Sequence, residues 1–286
     1  MIPVLWVPQR SRGSWDQGIV EELTAGPEYE HTNIVNKGSG AVIVLAGQHL
    51  LADAATLAAS IASLPWSLTI VTSDEEALFP VEHLPHDEKH ETWGQYHARP
   101  EFDRVIPIGA PPDSEFNCVG DRKPGVFFAG QDTHERRHEL IDVMKSMSLE
   151  PDSYGDVGWV ASTGFRQGLD RFDYKLALCF AAVAPCPSGP HSLDSFRLYE
   201  ALAAGCLPVI EKRTPHGNEE EFWKAMFGAH PIPTVNDWSE LVGLAPAWMK
   251  SELQQNWCNV IQDWWDSYRK RLALDFHATV ERLSES

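Results

Sequence analysis

The stretch Asp194-Ser-Phe-Arg197-Leu-Tyr-Glu200-Ala-Leu-Ala-Ala-Gly205-Cys-Leu-Pro208-Val-Ile210 has the pattern of a helix, a tight turn and a buried strand in immediate succession. Polar residues that suit the start of a helix come first, and small and apolar residues follow. Gly205 is placed to adopt the left-handed conformation that ends a helix, and Leu207–Glu211 then has the composition of a short buried strand. The stretch therefore predicts part of an α/β domain.

The start of this helix is also a candidate anion site. Three polar residues can accept hydrogen bonds from the free backbone N–H groups there: Ser192, Asp194 and Ser195. Arg197 and Glu200 are three residues apart and share one face of the helix. Free N–H groups and nearby cations attract phosphate, and a carboxylate accepts hydrogen bonds from sugar hydroxyls. The stretch therefore predicts a site for a diphosphate and a ribose.

This stretch resembles the C-terminal half of the exostosin-like glycosyltransferase family, which has a similar run ending in Gly-Cys-x-Pro-Val-Ile. A second segment, Val126-Phe-Phe-Ala-Gly130-Gln131 followed by Arg136 and Arg137, is similar to that family's Phe-x-Gly-x, arginine-rich segment. Together the two segments cover the middle and the C-terminal third of the chain. The resemblance implies a GT-B fold, a nucleotide-sugar donor held mainly by the C-terminal domain, and transfer with inversion without an obligatory metal. Gly130, Arg136 and Arg137 are then expected to join the donor site.

Apolar runs alternate with helical patterns along the rest of the chain. Strands are predicted at residues 4–7, 41–46, 67–72, 125–129 and 157–161, and a further buried strand at 176–184, whose length also allows a helix. Strand, helix and strand at this spacing predict parallel sheets with right-handed crossovers. We expect an α/β fold with two Rossmann-like domains facing a central cleft. The domains are expected at residues 1–120 and 121–250, with a C-terminal helix at 251–286 that packs back on the N-terminal domain.

The catalytic base is expected in the first domain. An inverting transfer needs one group to take the proton of the acceptor hydroxyl as its oxygen attacks the anomeric carbon. Asp16, His49 and Asp74 follow predicted strands, where the ligands of a parallel sheet collect. Asp74 precedes Glu75 and Glu76, so like-charge repulsion is expected to raise its pKa. We rank Asp16 and Asp74 nearly equal as candidates for the base and place His49 behind them.

His134-Glu135-Arg-Arg-His138 matches the His-Glu-x-x-His pattern of zinc peptidases. A zinc-dependent hydrolase is therefore one alternative function, and a non-catalytic nucleotide-sugar-binding module is another. Against zinc, the two histidines begin a helix directly behind a strand, and no third histidine continues the pattern.

Two further observations concern metals. The histidines at 83, 86 and 90 have ligand-like spacing but are interpreted as part of a solvated loop. The chain has no Asp-x-Asp motif, which a metal-bound diphosphate would need. We therefore expect no bound metal, and no cofactor apart from the nucleotide-sugar co-substrate.

The composition limits the classes of partner and compartment. The chain has 41 Asp and Glu residues against 23 Lys and Arg, a formal net charge of −18 that repels nucleic acid and anionic membranes at long range. The 5 cysteines are odd in number and scattered, so neither a disulfide framework nor a cysteine zinc site is expected. The sequence shows no secretory signal and no apolar run that could span a bilayer. We expect a cytoplasmic enzyme of viral or bacterial origin.

These observations predict a glycosyltransferase that moves a hexosyl or pentosyl group from a nucleotide-sugar to a hydroxyl acceptor. The resemblance alone indicates a UDP-sugar. The acceptor is expected to be a glycan precursor or a hydroxylated base in modified viral DNA. The DNA alternative requires a local basic patch, for which there are six candidates: Arg10, Arg12, Arg99, Arg104, Arg122 and Lys123.

Overall fold

The structure is a computed structural model that describes residues 1–9, 12, 14–36, 38–112, 114, 116, 118, 122–123, 125–164, 167–248 and 250–286. The chain divides into two units. The first contains Met1–Pro112, Glu221–Gly228 and Tyr268–Ser286, and the second contains Asp113–Glu220 and Ala229–Ser267. The sequence placed the domain boundary between Gly120 and Asp121, and both lie outside the described residues.

The first unit contains a parallel sheet. Its strands are β1 (Ile2–Val7), β2 (Tyr29–Thr32), β3 (Ala41–Ala46), β4 (Ser67–Thr72), β5 (His90–Gly94) and β6 (Arg104–Val105), and its first helices are α1 (Gly18–Leu23) and α2 (Ala54–Ala62). The strand order is β2-β1-β3-β4-β5-β6, and every neighbouring pair is parallel. β3 and β4 are buried along their whole length, as the central strands of a parallel sheet are when both faces are covered. The predicted α/β class is confirmed here.

The core of the first unit joins β3 to α2. Ile43 and Leu45 of the strand belong to one cluster of buried apolar side chains with Ala58 and Ile61 of the helix and with Phe79. Ala58 and Ile61 are three residues apart, so they lie on the same face of α2. The apolar spacing of the sequence therefore decides which side of this helix faces the sheet.

The sequence missed β2 and β5. The interpretation of the histidines at 83, 86 and 90 as one solvated loop was wrong for the third of them. His90 is buried in β5, and its Nδ1 is 2.8 Å from the hydroxyl of Ser67. The sequence His-Glu-Thr-Trp-Gly lacks the apolar run of a central strand. It becomes a strand because β4 offers it a parallel partner from Ser67 to Val71.

The second unit contains a second parallel sheet. Its strands are β7 (Gly125–Gln131), β8 (Asp156–Ser162), β9 (Val183–Cys186), β10 (Leu207–Glu211) and β13 (Thr234–Val235), beside a small hairpin of β11 (Arg213–Thr214) and β12 (Gly217–Asn218). Its helices include α3 (Glu135–Met147), α4 (Pro151–Tyr154), α5 (Arg171–Phe180), α6 (Phe196–Ala204) and α8 (Glu240–Trp248). The order β13-β10-β9-β7-β8 reverses between β7 and β9. Ligands of open α/β sheets bind at such a switch point, beyond the carboxyl ends of the strands.

The predicted strand at residues 176–184 was wrong. Its first part lies in α5 and only its end enters β9. Asp170 begins α5, because its carboxylate accepts a 2.9 Å hydrogen bond from the backbone N–H of Asp173. An apolar run of this length fits either a strand or a helix. The capping hydrogen bond of Asp170, rather than the run itself, therefore determines that a helix forms.

A disulfide joins Cys118 to Cys179 of α5, with Cα atoms 5.0 Å apart. The sequence analysis, which expected no disulfide framework, did not anticipate this bond. The other three, Cys186, Cys206 and Cys258, are free and buried. The two bridged residues are 61 positions apart in the sequence, so no local motif announces the bond.

The remaining helices are α7 (Glu220–Phe227) and the 35-residue α9 (Ser251–Glu285). The part of α9 up to Ser267 belongs to the second unit and the rest belongs to the first. In the first unit, Phe276 is buried with its ring 5.6 Å from that of Tyr29 and 5.8 Å from that of Trp93. Among the described residues, no helix has the length and apolar character needed to cross a membrane.

Candidate functional site

The carboxyl edge of the second sheet carries most of the residues predicted to bind a donor. The switch point between β7 and β9 is flanked by the segment after Gln131 and by the loop that leads from β9 to α6. α6 starts at Phe196, behind that loop. The predicted helix that carries Arg197 and Glu200 and the strand after it are thereby confirmed, and Gly205 ends α6 in the left-handed conformation with a φ of 70°.

Arg197 lies beside the end of β7, next to the switch point. Its Nε donates a 2.8 Å hydrogen bond to the carbonyl of Ala129, and its guanidinium stacks on the rings of Phe128 and Phe196. A Cβ at Gly130 would lie only 2.3 Å from Nη2 of Arg197, so the glycine is needed for this close approach. Within the part of the chain that the structure describes, no carboxylate lies within 4.0 Å of this guanidinium. Its charge is thus available to an anionic ligand.

The start of α6 differs in detail from the prediction. Ser195 is the residue before the first turn, and its side chain makes no capping hydrogen bond. The hydroxyl of Ser192 accepts a 3.1 Å hydrogen bond from the backbone N–H of Asp194, ahead of the helix. The carboxylate of Asp194 accepts a 2.6 Å hydrogen bond from the hydroxyl of Tyr199. Ser192 and Asp194 thus hold the segment that leads into α6 in place. The prediction was that all three side chains accept hydrogen bonds from the backbone N–H groups at the helix start.

Arg136 and Arg137 have structural partners that the sequence did not reveal. Arg136 is buried, and its Nε donates a 2.8 Å hydrogen bond to Glu211 at the end of β10. Arg137 donates from Nε and Nη2 to the carbonyl of Ser188 at 3.3 and 3.2 Å, and from Nη1 to the carbonyl of Gln131 at 3.0 Å. This geometry favours positioning of the site loops over direct grip on a diphosphate, so the predicted role of both arginines in donor binding stays a prediction.

The loop after β9 is fixed through Ser188, a residue that the sequence analysis did not single out. Its backbone N–H donates a 2.7 Å hydrogen bond to Glu211, and its carbonyl accepts a bond from Nε2 of His134 at 3.2 Å. Burial, reinforced by the charge of Arg137, lowers the pKa of His134 to about 4, so the ring is neutral with its proton on Nε2. Among the described residues, Nδ1 of His134 and Oγ of Ser188 are buried without a hydrogen-bond partner.

Glu200 lies one turn into α6 and is buried. Its Oε2 accepts a 2.6 Å hydrogen bond from the hydroxyl of Tyr174 on α5. Burial raises the pKa of Glu200, although the Tyr174 hydroxyl and the charge of Arg197 oppose the rise. Tyr174 is 26 residues away in sequence, so only the packing of α5 on α6 could identify it.

The His-Glu-x-x-His pattern does not assemble a metal centre. Nε2 of His134 is used on the carbonyl of Ser188, and Nε2 of His138 lies 2.9 Å from the carboxylate of Asp132. His134 precedes α3 and does not lie within it. In the described ranges, no group of three or more His, Cys, Asp or Glu side chains is arranged to hold a metal ion.

Asp16 lies buried at the carboxyl edge of the first sheet. Its carboxylate accepts hydrogen bonds from the hydroxyl of Ser14 at 2.7 Å and from that of Tyr96 at 3.0 Å. Tyr96 follows β5 with a φ of 68°, a left-handed conformation that is strained for a bulky residue. The hydroxyls of Ser14 and of the strained Tyr96 therefore hold this carboxylate in one orientation.

The two other candidate bases differ from Asp16. Asp74 accepts hydrogen bonds from the backbone N–H groups of Leu78 and Phe79 at 2.9 and 3.0 Å, which gives it the geometry of a turn-forming residue. The pKa of Asp74 is raised, as predicted, but the cause is burial rather than the neighbouring glutamates. His49 is exposed in a single 3-10 turn after β3. Neither assignment as a base is tested by these contacts.

The sequence of residues 124–283, more than half of the chain, matches the family described as the RXYLT1 C-terminal domain. The chain belongs to this exostosin-like glycosyltransferase family. The resemblance identified from the two sequence segments is thereby confirmed, and the family supports a transferase. A comparison with curated proteins gave no significant match.

Two solved structures are similar to this member of the family. One is a GtfA/B complex, with 10% identity and a TM-score of 0.49, which covers 87% of this chain. The present chain spans 58% of the length of that one. The other is Anabaena Alr3699/HepE in complex with UDP and glucose, with 9% identity, a TM-score of 0.48 and full coverage of both chains.

Proposed function

We propose that this chain is an enzyme of the GT-B class that transfers a sugar from a nucleotide-sugar to a hydroxyl acceptor. The proposed donor is a UDP-sugar, and the transfer inverts the configuration at the anomeric carbon. The observation that carries the proposal is Arg197. Its guanidinium lies at the start of α6 and against Gly130 at the end of β7, with no carboxylate within 4.0 Å in the described part of the chain. A cation at the start of a helix that adjoins a sheet switch point suits a diphosphate.

The donor is proposed to bind along α6. Arg197 and the backbone N–H groups of the first turn would hold the diphosphate. Glu200 has one oxygen bonded to Tyr174 and a second that can accept a hydrogen bond from a ribose hydroxyl. The Ser188 loop would be held beside the switch point by Arg136, Arg137 and Glu211. These three residues would act on the donor only through the loop.

The leaving group is proposed to be stabilised without an obligatory metal. As the bond between the anomeric carbon and the diphosphate oxygen breaks, negative charge grows on the diphosphate. A guanidinium and aligned N–H groups stabilise such charge electrostatically because they are already oriented toward it. The cofactor expectation therefore stays as proposed from the sequence, with the nucleotide-sugar as co-substrate only.

Asp16 is the base that the geometry supports best. The acceptor oxygen forms its bond to the anomeric carbon as the bond to the diphosphate breaks, and its proton passes to the carboxylate of Asp16. The hydroxyls of Ser14 and Tyr96 would orient that carboxylate. Asp74 is less suited, since its carboxylate holds the backbone N–H groups of Leu78 and Phe79 in a turn.

A saccharide acceptor, such as a glycan precursor, is favoured over modified DNA. Three of the arginines that a basic patch would use have local partners. Arg99 lies 3.6 Å from Glu82, Arg104 lies 2.7 Å from Asp275, and Arg122 donates to the carbonyls of Leu178 and Ala181.

Arg10, a further candidate for that patch, lies outside the described residues. If the DNA alternative held, binding to duplex DNA would weaken steeply as salt is raised. A salt titration that detects no such binding supports the saccharide.

The compartment and the sugar are separate questions. A cytoplasmic location and a viral or bacterial origin stay predictions. The disulfide between Cys118 and Cys179 opposes the cytoplasmic location, because disulfides persist mainly in oxidising compartments.

Whether a hexosyl or a pentosyl group is transferred depends on contacts to the sugar, which the family does not specify.

Donor screening tests the proposal. We expect UDP-sugars to raise the melting temperature of the full chain and GDP-sugars to raise it less, because a ligand that binds only the folded state stabilises it. Stabilisation by no nucleotide-sugar would overturn the donor site. Donor binding without transfer to any saccharide acceptor would instead favour the non-catalytic binding module, and stoichiometric zinc held by His134 and His138 would favour the hydrolase.

A further inference from the structure

Two histidines from neighbouring loops of the second unit contact each other. His191 lies between β9 and α6, and His216 lies at the tip between β11 and β12. Nε2 of His216 is 3.2 Å from Nδ1 of His191, and the stacked rings have centroids 5.0 Å apart. His216 is exposed and His191 is partly exposed, so a solute can reach both rings.

The sheet brings these loops together and holds them. β9 and β10 are adjacent parallel strands, so both loops leave the same edge of the sheet. The 2.7 Å bond from the N–H of Ser188 to Glu211 ties the loops together where they leave the strands. At the hairpin, the N–H of His216 donates a 3.2 Å bond to the hydroxyl of Thr214. The spacing of the two rings is thus built into the fold.

The separation of the two ring nitrogens suits a shared metal ion. Two imidazole nitrogens about 2.05 Å from one zinc ion lie about 3.3 Å apart in tetrahedral geometry, and about 2.9 Å apart as neighbours in octahedral geometry. The observed 3.2 Å falls between these values. The two nitrogens are therefore at a distance that one ion can span, provided that each ring turns so that its lone pair points at the ion.

We propose that Nδ1 of His191 and Nε2 of His216 are two ligands of a divalent transition-metal ion. Imidazole suits zinc, nickel and copper better than the oxygen-seeking magnesium and calcium. Water would fill the other positions, since no third metal-binding side chain among the described residues completes a group. One ring moves its proton from the shared nitrogen to its other nitrogen, so both lone pairs face the metal and no proton is lost overall.

This accessory site goes beyond the proposed transfer reaction and does not depend on it. Its test uses the full chain without an affinity tag, stripped of metal with EDTA and free of nucleotide. In a calorimetric titration with NiCl2 we expect one ion per chain with a dissociation constant in the micromolar range. His191→Ala and His216→Ala should each weaken binding at least tenfold.

The matched control is His83→Ala, which removes an exposed histidine of the first unit and should leave the titration unchanged. Thermal unfolding of each variant checks that the fold is intact, and His191→Gln and His216→Gln repeat the test with side chains of similar polarity. Equal nickel affinity in the wild type and in the double variant would show that the pair is only a hydrogen bond. Absence of binding tighter than millimolar in the wild type would lead to the same conclusion.

Discussion

Nη2 of Arg136 and Oε2 of Glu211 are 2.7 Å apart, and each side chain is 1% exposed. The other oxygen of Glu211 accepts the N–H of Ser188. One guanidinium charge and one backbone group are thus satisfied by a single carboxylate at the end of β10. A buried charge that loses its partner is strongly destabilising. The position of the loop that follows β9 therefore depends on both Arg136 and Glu211.

Removal of one partner of this pair should be costly. Glu211→Ala leaves the Arg136 guanidinium buried without its main counter-charge, so we expect the free energy of unfolding to fall by about 3–5 kcal/mol. Urea denaturation measures this free energy of unfolding. The control is Glu221→Ala, which breaks an exposed pair with Lys224 and should cost less than about 1 kcal/mol. Similar losses in both variants would contradict the structural role of Glu211.

Arg197 should determine donor affinity. Arg197→Ala removes a charge-assisted contact to the diphosphate, worth about 1.5–3 kcal/mol, so the dissociation constant for a UDP-sugar should rise by roughly tenfold to 150-fold. Glu200→Gln should weaken binding as well, by loss of the carboxylate. Calorimetry measures both, with Lys145→Ala as the charge-matched control at an exposed site. Undiminished affinity in both site variants would show that α6 is not the donor site.

The candidate bases can be separated by kinetics. Asp16→Asn should lower kcat by about 10²- to 10⁴-fold while donor affinity stays unchanged, because only the proton acceptor is lost. Asp74→Asn should mainly lower stability, since its carboxylate accepts the N–H groups of Leu78 and Phe79. His49→Ala should change neither. A large loss of kcat for Asp74→Asn, with the fold intact, would move the assignment from Asp16 to Asp74.

His134 should make the fold sensitive to mild acid. Its pKa is lowered from 6.5 to about 4 in the folded state, so between these values the unfolded chain binds more protons than the folded one. The contribution of His134 to stability is therefore complete above pH 6.5 and is lost as the pH falls toward 4. His134→Gln keeps a donor for Ser188 but cannot take up the proton. We expect the free energy of unfolding, measured by urea denaturation, to differ less between pH 7.5 and pH 5 in this variant than in the wild type or in His138→Gln.

The disulfide should stabilise the second unit. Closing a loop of 61 residues corresponds to about 4 kcal/mol in the chain-entropy treatment, so Cys118→Ser combined with Cys179→Ser should lower the unfolding free energy by up to that amount. Dithiothreitol should destabilise the wild type and leave the double variant unchanged. Mass spectrometry of the protein purified from its own cell would show whether the bond forms there, and a fully reduced pair would support the cytoplasmic prediction.

Much of the local structure follows from residue spacing alone. The strands at 41–46 and 67–72 are continuous apolar or β-branched runs, and the structure has them at the predicted bounds. Gly205 ends α6 as predicted, because a left-handed residue is required there. β5 was missed because its polar sequence becomes a strand only beside β4.

The sequence by itself determined the α/β class, the family and the helix that carries Arg197 and Glu200, because these depend on short-range pattern and on motif. The tertiary structure alone decided which charges are free. Arg136 is paired with Glu211, 75 positions away, whereas Arg197 lies against Gly130 with no carboxylate within 4.0 Å in the described residues. Whether a guanidinium can bind a ligand depends on burial and on counter-charges brought from distant strands, and residue spacing does not contain that information.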